Sequence, residues 1–123
     1  MSHVDAMRRA TDELAEDMKR IAASPYGSML SAWRRFTAQA HADGELSRKH
    51  KELIAIAASI LKGCERCISY HVKSAIASGA TSGEIIEAGF VAVIMNGGPA
   101  LAHMGLLLDA IEAHESAAEQ PCG

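Results

Sequence analysis

The stretch RKHKELIAIAASILKG, residues 48–63, limits the possible folds more than any other part of the chain. After Glu52 it is apolar or small on nearly every side, with Leu53, Ile54, Ile56, Ile60 and Leu61 spread around one helix. A helix patterned in that way is buried over most of its circumference, so it needs neighbours on several sides. The rest of the chain is suited to supply them as helices. Hydrophobic residues make up 49% and aromatics only 4%, and the apolar content is mostly Ala, Leu, Ile and Met, which favour helices over strands. Charged residues at 22% fit a folded globular protein. The length of 123 residues suits one domain spanning 1–123. The expected fold class is all-α, a compact bundle of about six helices.

Punctuation and periodicity place those helices. The first is expected from Val4 to Ala22, with Met7, Leu14, Met18 and Ile21 on one face. Pro25 and Gly27 break it. The second covers Ser28 to Ala42, where Met29, Trp33, Phe36 and Ala40 form a single stripe that reads as core. Ser47 is a plausible N-cap for the third helix, and Gly63 a natural stop. The fourth begins at about Cys64 and ends before Gly79. Thr81 with Glu84 three residues later makes a capping box for the fifth. In that helix Ala88, Gly89 and Ala92 would let a neighbour approach closely. Pro99 suits the first turn of the sixth.

Several functions are disfavoured at once. A net charge of −3 without a stripe of Lys and Arg offers nothing to nucleic acid. The N-terminal residues are charged throughout and do not read as a signal peptide. No apolar run reaches the length of a membrane span. The expected compartment is the cytoplasm, where a CxxC pair points to catalysis or metal binding rather than to a structural staple.

That pair lies in KGCERCISYH, residues 62–71. Cys64 and Cys67 sit at the start of the fourth helix, where free N–H groups and the helix dipole stabilise a thiolate. His71, four residues after Cys67, shares its helical face and can take a thiol proton. Glu52 lies about three turns before the bend at Lys62–Gly63 and His71 about two turns after it, so antiparallel packing brings them to a similar depth. A carboxylate in so apolar a helix needs a partner. Plainer readings exist for each residue. Glu52 alone would be a first-turn helix acid, and the cysteines with His71 and His103 could bind zinc, although no second close pair completes the usual signature. His103 reads as core packing, Cys122 as incidental, and the pairs Arg8–Arg9 and Arg34–Arg35 as solvated faces.

The pattern Glu52-x11-Cys64-x2-Cys67-x3-His71, with GATSGEIIEA behind it, resembles the core motif of the AhpD-like alkylhydroperoxidases, within the carboxymuconolactone decarboxylase superfamily. The similarity runs from Leu46 to about His103, a core motif region of 46–103. It implies an all-α fold that assembles as a homotrimer or homohexamer; no cofactor or metal is expected. It also implies catalytic roles. Cys67 would be the peroxide-attacking thiolate, Cys64 the resolving thiol, and Glu52 with His71 a proton relay. The resulting reading is an antioxidant thiol peroxidase whose partners are a small-molecule peroxide and a dithiol reductant. A partner-binding structural oligomer and a lactone enzyme of the decarboxylase branch are the alternatives. The sequence departs from the best-studied branch at Arg66, where that branch carries a second histidine. Arginine stays protonated and cannot shuttle a proton, so the implied relay is shorter, though its charge could still lower a thiol pKa.

Overall fold

The computed structural model describes Ser2–Glu119. It contains six helices, α1 (His3–Ala22), α2 (Gly27–His41), α3 (Arg48–Lys62), α4 (Glu65–Ala77), α5 (Ser82–Asn96) and α6 (Gly98–Glu119), with no strand among the described residues. Cys122 lies outside them. At the C-terminal end of α6 the sequence reads as a frayed tail after Glu115, whereas the helix continues to Glu119. The other helix ends fall within a residue of those read from the sequence, and the caps explain why. Ser47 accepts a hydrogen bond from the His50 N–H, and Gly63 ends α3 in the left-handed region at φ 64°. Thr81 and Glu84 form both halves of the capping box.

The α3 helix sits at the centre, packed on α4, α5 and α6, while α1 crosses α4 and α6. Ile56 and Ile60 of α3, Ile68 and Val72 of α4, Ile85 of α5 and Leu107 of α6 are almost fully buried and form the middle of the core. The small-residue face of α5 is filled from within the chain. A Cβ on Gly89 would lie 2.6 Å from Leu107 Cδ2 and 2.8 Å from Met104 Sδ, so α6 occupies the close approach.

Two expectations need correction. Trp33 and Phe36 are not core: they are 52% and 67% exposed. The α2 helix touches only α1 and α3, so most of its apolar stripe meets no other described element. Nor is α3 buried all round, since Ile54 and Leu61 are exposed while Glu52, Ile56, Ser59 and Ile60 are buried.

A buried polar junction holds α1, α4 and α6 together. The Ser69 hydroxyl donates to the Met7 carbonyl at 2.6 Å. Its oxygen lies 2.6 Å from Thr11 Oγ1 and 3.0 Å from His114 Nε2. With its one proton directed to Met7, Ser69 accepts from the other two, which assigns the proton of a neutral His114 to Nε2. Burial lowers the His114 pKa, and the charges of Lys73 and Arg8 lower it further against the opposing pull of Asp12. The folded chain therefore binds this proton less readily than the unfolded chain, which takes it up below about 6.5. The contribution to stability is complete above that pH and is lost as pH falls from 6.5 toward the depressed folded value. Melting temperature between pH 7.5 and 5 should drop more steeply for the wild type than for His114→Gln, whose amide can still donate to Ser69 but does not titrate. Parallel curves would contradict this account.

Candidate active site

Glu52 is the fifth residue of α3, one turn beyond the helix start, and is only 1% exposed. It faces α2 and α4. His41, the last residue of α2, places Nδ1 2.7 Å from Oε1. His71 of α4 places Nδ1 2.9 Å from Oε2. Burial opposes ionisation of Glu52 most strongly, but the hydrogen bonds and charges of His71 and His41 together outweigh it and hold the carboxyl below its ordinary 4.5. An ionised carboxylate only accepts, so both Nδ1 atoms carry hydrogen, and in the neutral rings both Nε2 atoms are free to take a proton. The two rings lie nearly parallel, 12° apart with centroids 6.1 Å from each other. Tyr70 meets His71 edge-on at 5.2 Å.

This cluster opens onto a cavity of about 550 Å³ bounded by α1, α2, α3 and α4. Cys67 lines it together with Glu52, His41 and His71. Leu14, Trp33, Ala38 and Tyr70 form apolar wall, and Arg34, Thr37 and Arg48 complete the lining. Arg34 is thus part of a cavity and not simply a solvated face. Cys64 is not among the lining residues. It is the N-cap of α4, with Sγ accepting the Cys67 N–H at 3.2 Å, and it is joined to Cys67 in a disulfide whose Cα atoms are 5.2 Å apart. The helix N-terminus therefore acts most directly on the Cys64 sulfur, while Cys67, in the first turn, shares its cavity with the Glu52–histidine cluster.

The sequence reasoning brought Glu52, His71, Cys67 and Cys64 to one place but missed His41. That residue stands 11 positions before Glu52, at the end of a different helix. No periodicity links the two, and a histidine in a last helical turn reads as a partner of the helix dipole. The only available signal was that a buried carboxylate has two oxygens to satisfy, one more than His71 can serve.

Arg66 does not act as the sequence allowed. Its guanidinium turns to α1, 2.6 Å from Asp17 and 3.2 Å from Glu13. The Arg66 hydrogen bond in turn keeps the Asp17 carboxyl below its ordinary range. Two acids already oppose the charge, so little of it is left to act on a thiol. The second histidine beside Glu52 comes from α2 instead.

His103 is half-buried rather than core. Its Nδ1 lies 2.8 Å from the Pro99 carbonyl, and its other ring nitrogen rests against the α3–α4 turn, 2.9 Å from where a Gly63 Cβ would stand. Among the described residues no group of three or more His, Cys, Asp or Glu side chains is placed to hold a metal ion. The turn itself is sensitive. Gly63→Ala must keep a left-handed backbone at φ 64° and displace the His103 ring. The backbone cost alone is roughly 1–2 kcal/mol, and the urea midpoint should fall accordingly. An unchanged midpoint would contradict the packing described here.

An all-α protein with a CxxC pair at a helix start, beside a buried carboxylate bridged by two histidines, is the class that this geometry defines. The model of the carboxymuconolactone decarboxylase family matches residues 28–110, and the chain belongs to that family. The matched span contains the 46–103 motif region and also takes in His41. The chain is 41% identical over 76 residues to uncharacterized protein 4 in the cox locus of Paracoccus denitrificans, covering 62% of this chain and 68% of that one. It is 36% identical over 70 residues to an uncharacterized protein of Cupriavidus necator, covering 57% and 62% respectively. Among solved structures, a carboxymuconolactone decarboxylase family protein from Legionella pneumophila superposes with a TM-score of 0.81 at 29% identity, over 94% of this chain and 99% of that one. A Thermotoga maritima family protein, described as having a possible part in antioxidative response, shares the fold with a TM-score of 0.75 at 23% identity, over 91% and 97%. No helix among the described residues is long and apolar enough to cross a membrane.

Proposed function

We propose that the protein is a thiol peroxidase that uses Cys67 and Cys64 as a dithiol–disulfide pair. The observation that carries the reading is the division of the pair. Cys67 faces a cavity that it shares with Glu52, His71 and His41, while Cys64 sits at the helix N-cap within bonding reach. In the reduced protein the Nε2 of His71 or His41 accepts the Cys67 proton, and the Glu52 carboxylate stabilises the imidazolium. The Cys67 thiolate attacks the outer peroxide oxygen and the O–O bond breaks. The departing alkoxide takes the proton from the imidazolium and leaves as an alcohol. Cys67 is now a sulfenic acid. The Cys64 thiolate attacks its sulfur, hydroxide leaves with a proton as water, and the disulfide closes. A dithiol donor reduces it by exchange and is itself oxidised to a disulfide. This cycle suits a reducing compartment such as the cytoplasm.

The test is consumption of an organic hydroperoxide by reduced protein with dithiothreitol as donor. Catalytic turnover supports the reading, and its absence in folded protein with free thiols overturns it. The reading includes self-association as a homotrimer or homohexamer, supported by the exposed apolar side chains Met29, Trp33 and Phe36 on α2 and Ile94, Met95 and Leu101 on α5 and α6. Light scattering at micromolar concentration should give a multiple of the chain mass, and a monomer would refute this part.

A further inference from the structure

The cavity beside Cys67 carries two positive charges that the peroxidase chemistry does not use. Arg34 and Arg48 both line it. Neither guanidinium forms an ion pair among the described residues. The acid within the same cavity, Glu52, is committed elsewhere, with one oxygen on His41 and the other on His71. Asp43 is directed to the Arg48 backbone N–H, at 2.6 Å, and not to its side chain. Apart from Thr37 the remaining wall is apolar, from Leu14, Trp33, Ala38 and the Tyr70 ring. Its volume of about 550 Å³ falls in the range of sites for small organic ligands and far exceeds the needs of hydrogen peroxide.

We propose that this cavity selects organic hydroperoxides that carry a carboxylate on an apolar chain, the class that includes medium-chain fatty-acid hydroperoxides. Arg34 and Arg48 hold the carboxylate, since a guanidinium matches its planar, two-oxygen geometry. Leu14, Trp33 and Tyr70 cover the chain, and the peroxide group reaches Cys67. This deepens the peroxidase reading and rests on it for the reaction. The substrate ROOH becomes ROH with its carboxylate unchanged, Cys67 is oxidised to the sulfenic acid, Cys64 closes the disulfide with release of water, and a dithiol donor restores both thiols.

Binding can be read without turnover. Reduced protein is alkylated with iodoacetamide, a neutral reagent, and the rate at Cys67 is followed by peptide mass spectrometry. Decanoate and decanamide serve as unreactive probes that share one chain length and differ in charge. Decanoate is expected to protect Cys67 at a concentration roughly tenfold or more below that required of decanamide, as a charged hydrogen bond allows. Arg34→Gln combined with Arg48→Gln should erase the difference, and each single variant should reduce it. Equal protection by the two probes in the wild type, or protection by neither, overturns the proposal. Alkylation needs only a free thiol, so a protein without peroxidase turnover would still give one of these results, and the two readings fail separately.

Discussion

Glu52→Gln should lower hydroperoxide turnover by roughly 10²–10⁴-fold, the usual scale of general acid–base assistance. The reason lies in the two ring nitrogens that face the carboxylate. Both His41 and His71 donate from Nδ1 to Glu52. A glutamine offers one oxygen and one NH₂ in their place. The ring opposite the NH₂ must accept, so its proton moves to Nε2 and its free base is lost. The charge that stabilised the imidazolium is lost with it. Helix positions should persist, because that tautomer change keeps both hydrogen bonds. The pH of half-maximal Cys67 alkylation should rise. The acid dependence of stability should change as well. The folded Glu52 carboxyl lies below 4.5, so its contribution is present above that pH and is lost as pH falls through the folded value. Glu52→Gln should remove that component. Wild-type turnover with an unchanged alkylation profile would reduce Glu52 to a structural acid.

Cys67→Ser should bring turnover to the uncatalysed background, whereas Cys64→Ser should retain the first chemical step. The two sulfurs occupy different places: one faces the cavity, the other caps α4. Without Cys67 no sulfur meets a peroxide held beside the Glu52 cluster. Without Cys64 the sulfenic acid forms but has no neighbour to condense with, so it accumulates and is reduced only slowly by the external thiol. Stopped-flow kinetics with one equivalent of hydroperoxide would show a single fast phase in Cys64→Ser and none in Cys67→Ser. Equal loss of the first phase in both variants would contradict the assignment.

The helices were legible because each carries its own local signals. Ser47, Gly63, Thr81 with Glu84 and Pro99 mark ends through backbone chemistry that acts within a few residues. The Glu52, Cys64, Cys67 and His71 pattern was legible because it spans one helical hairpin, where position along the chain translates into depth. Residues brought in by tertiary packing were not. His41 and Arg34 belong to α2, whose placement against α3 leaves no mark in local periodicity. The same stripe that read as core on α2, Trp33 and Phe36, is exposed because a single-chain pattern cannot tell an inward face from an outward apolar one. His114 was missed for a related reason: its partners Ser69 and Thr11 lie 45 and 103 residues away. Arg66 turned to Glu13 and Asp17, some 50 positions upstream, a pairing set by how α1 crosses α4.

The central claim is that Cys67 is the sulfur that meets the peroxide. Reduced Cys64→Ser, treated with one equivalent of an organic hydroperoxide in the presence of dimedone, tests it most directly, because dimedone labels sulfenic acids. Peptide mass spectrometry should find close to one adduct per chain, on Cys67, and the matching experiment on Cys67→Ser should leave Cys64 unlabelled. A Cys67 that stays reduced in the first variant, or a Cys64 adduct that forms as fast in the second, would contradict the account.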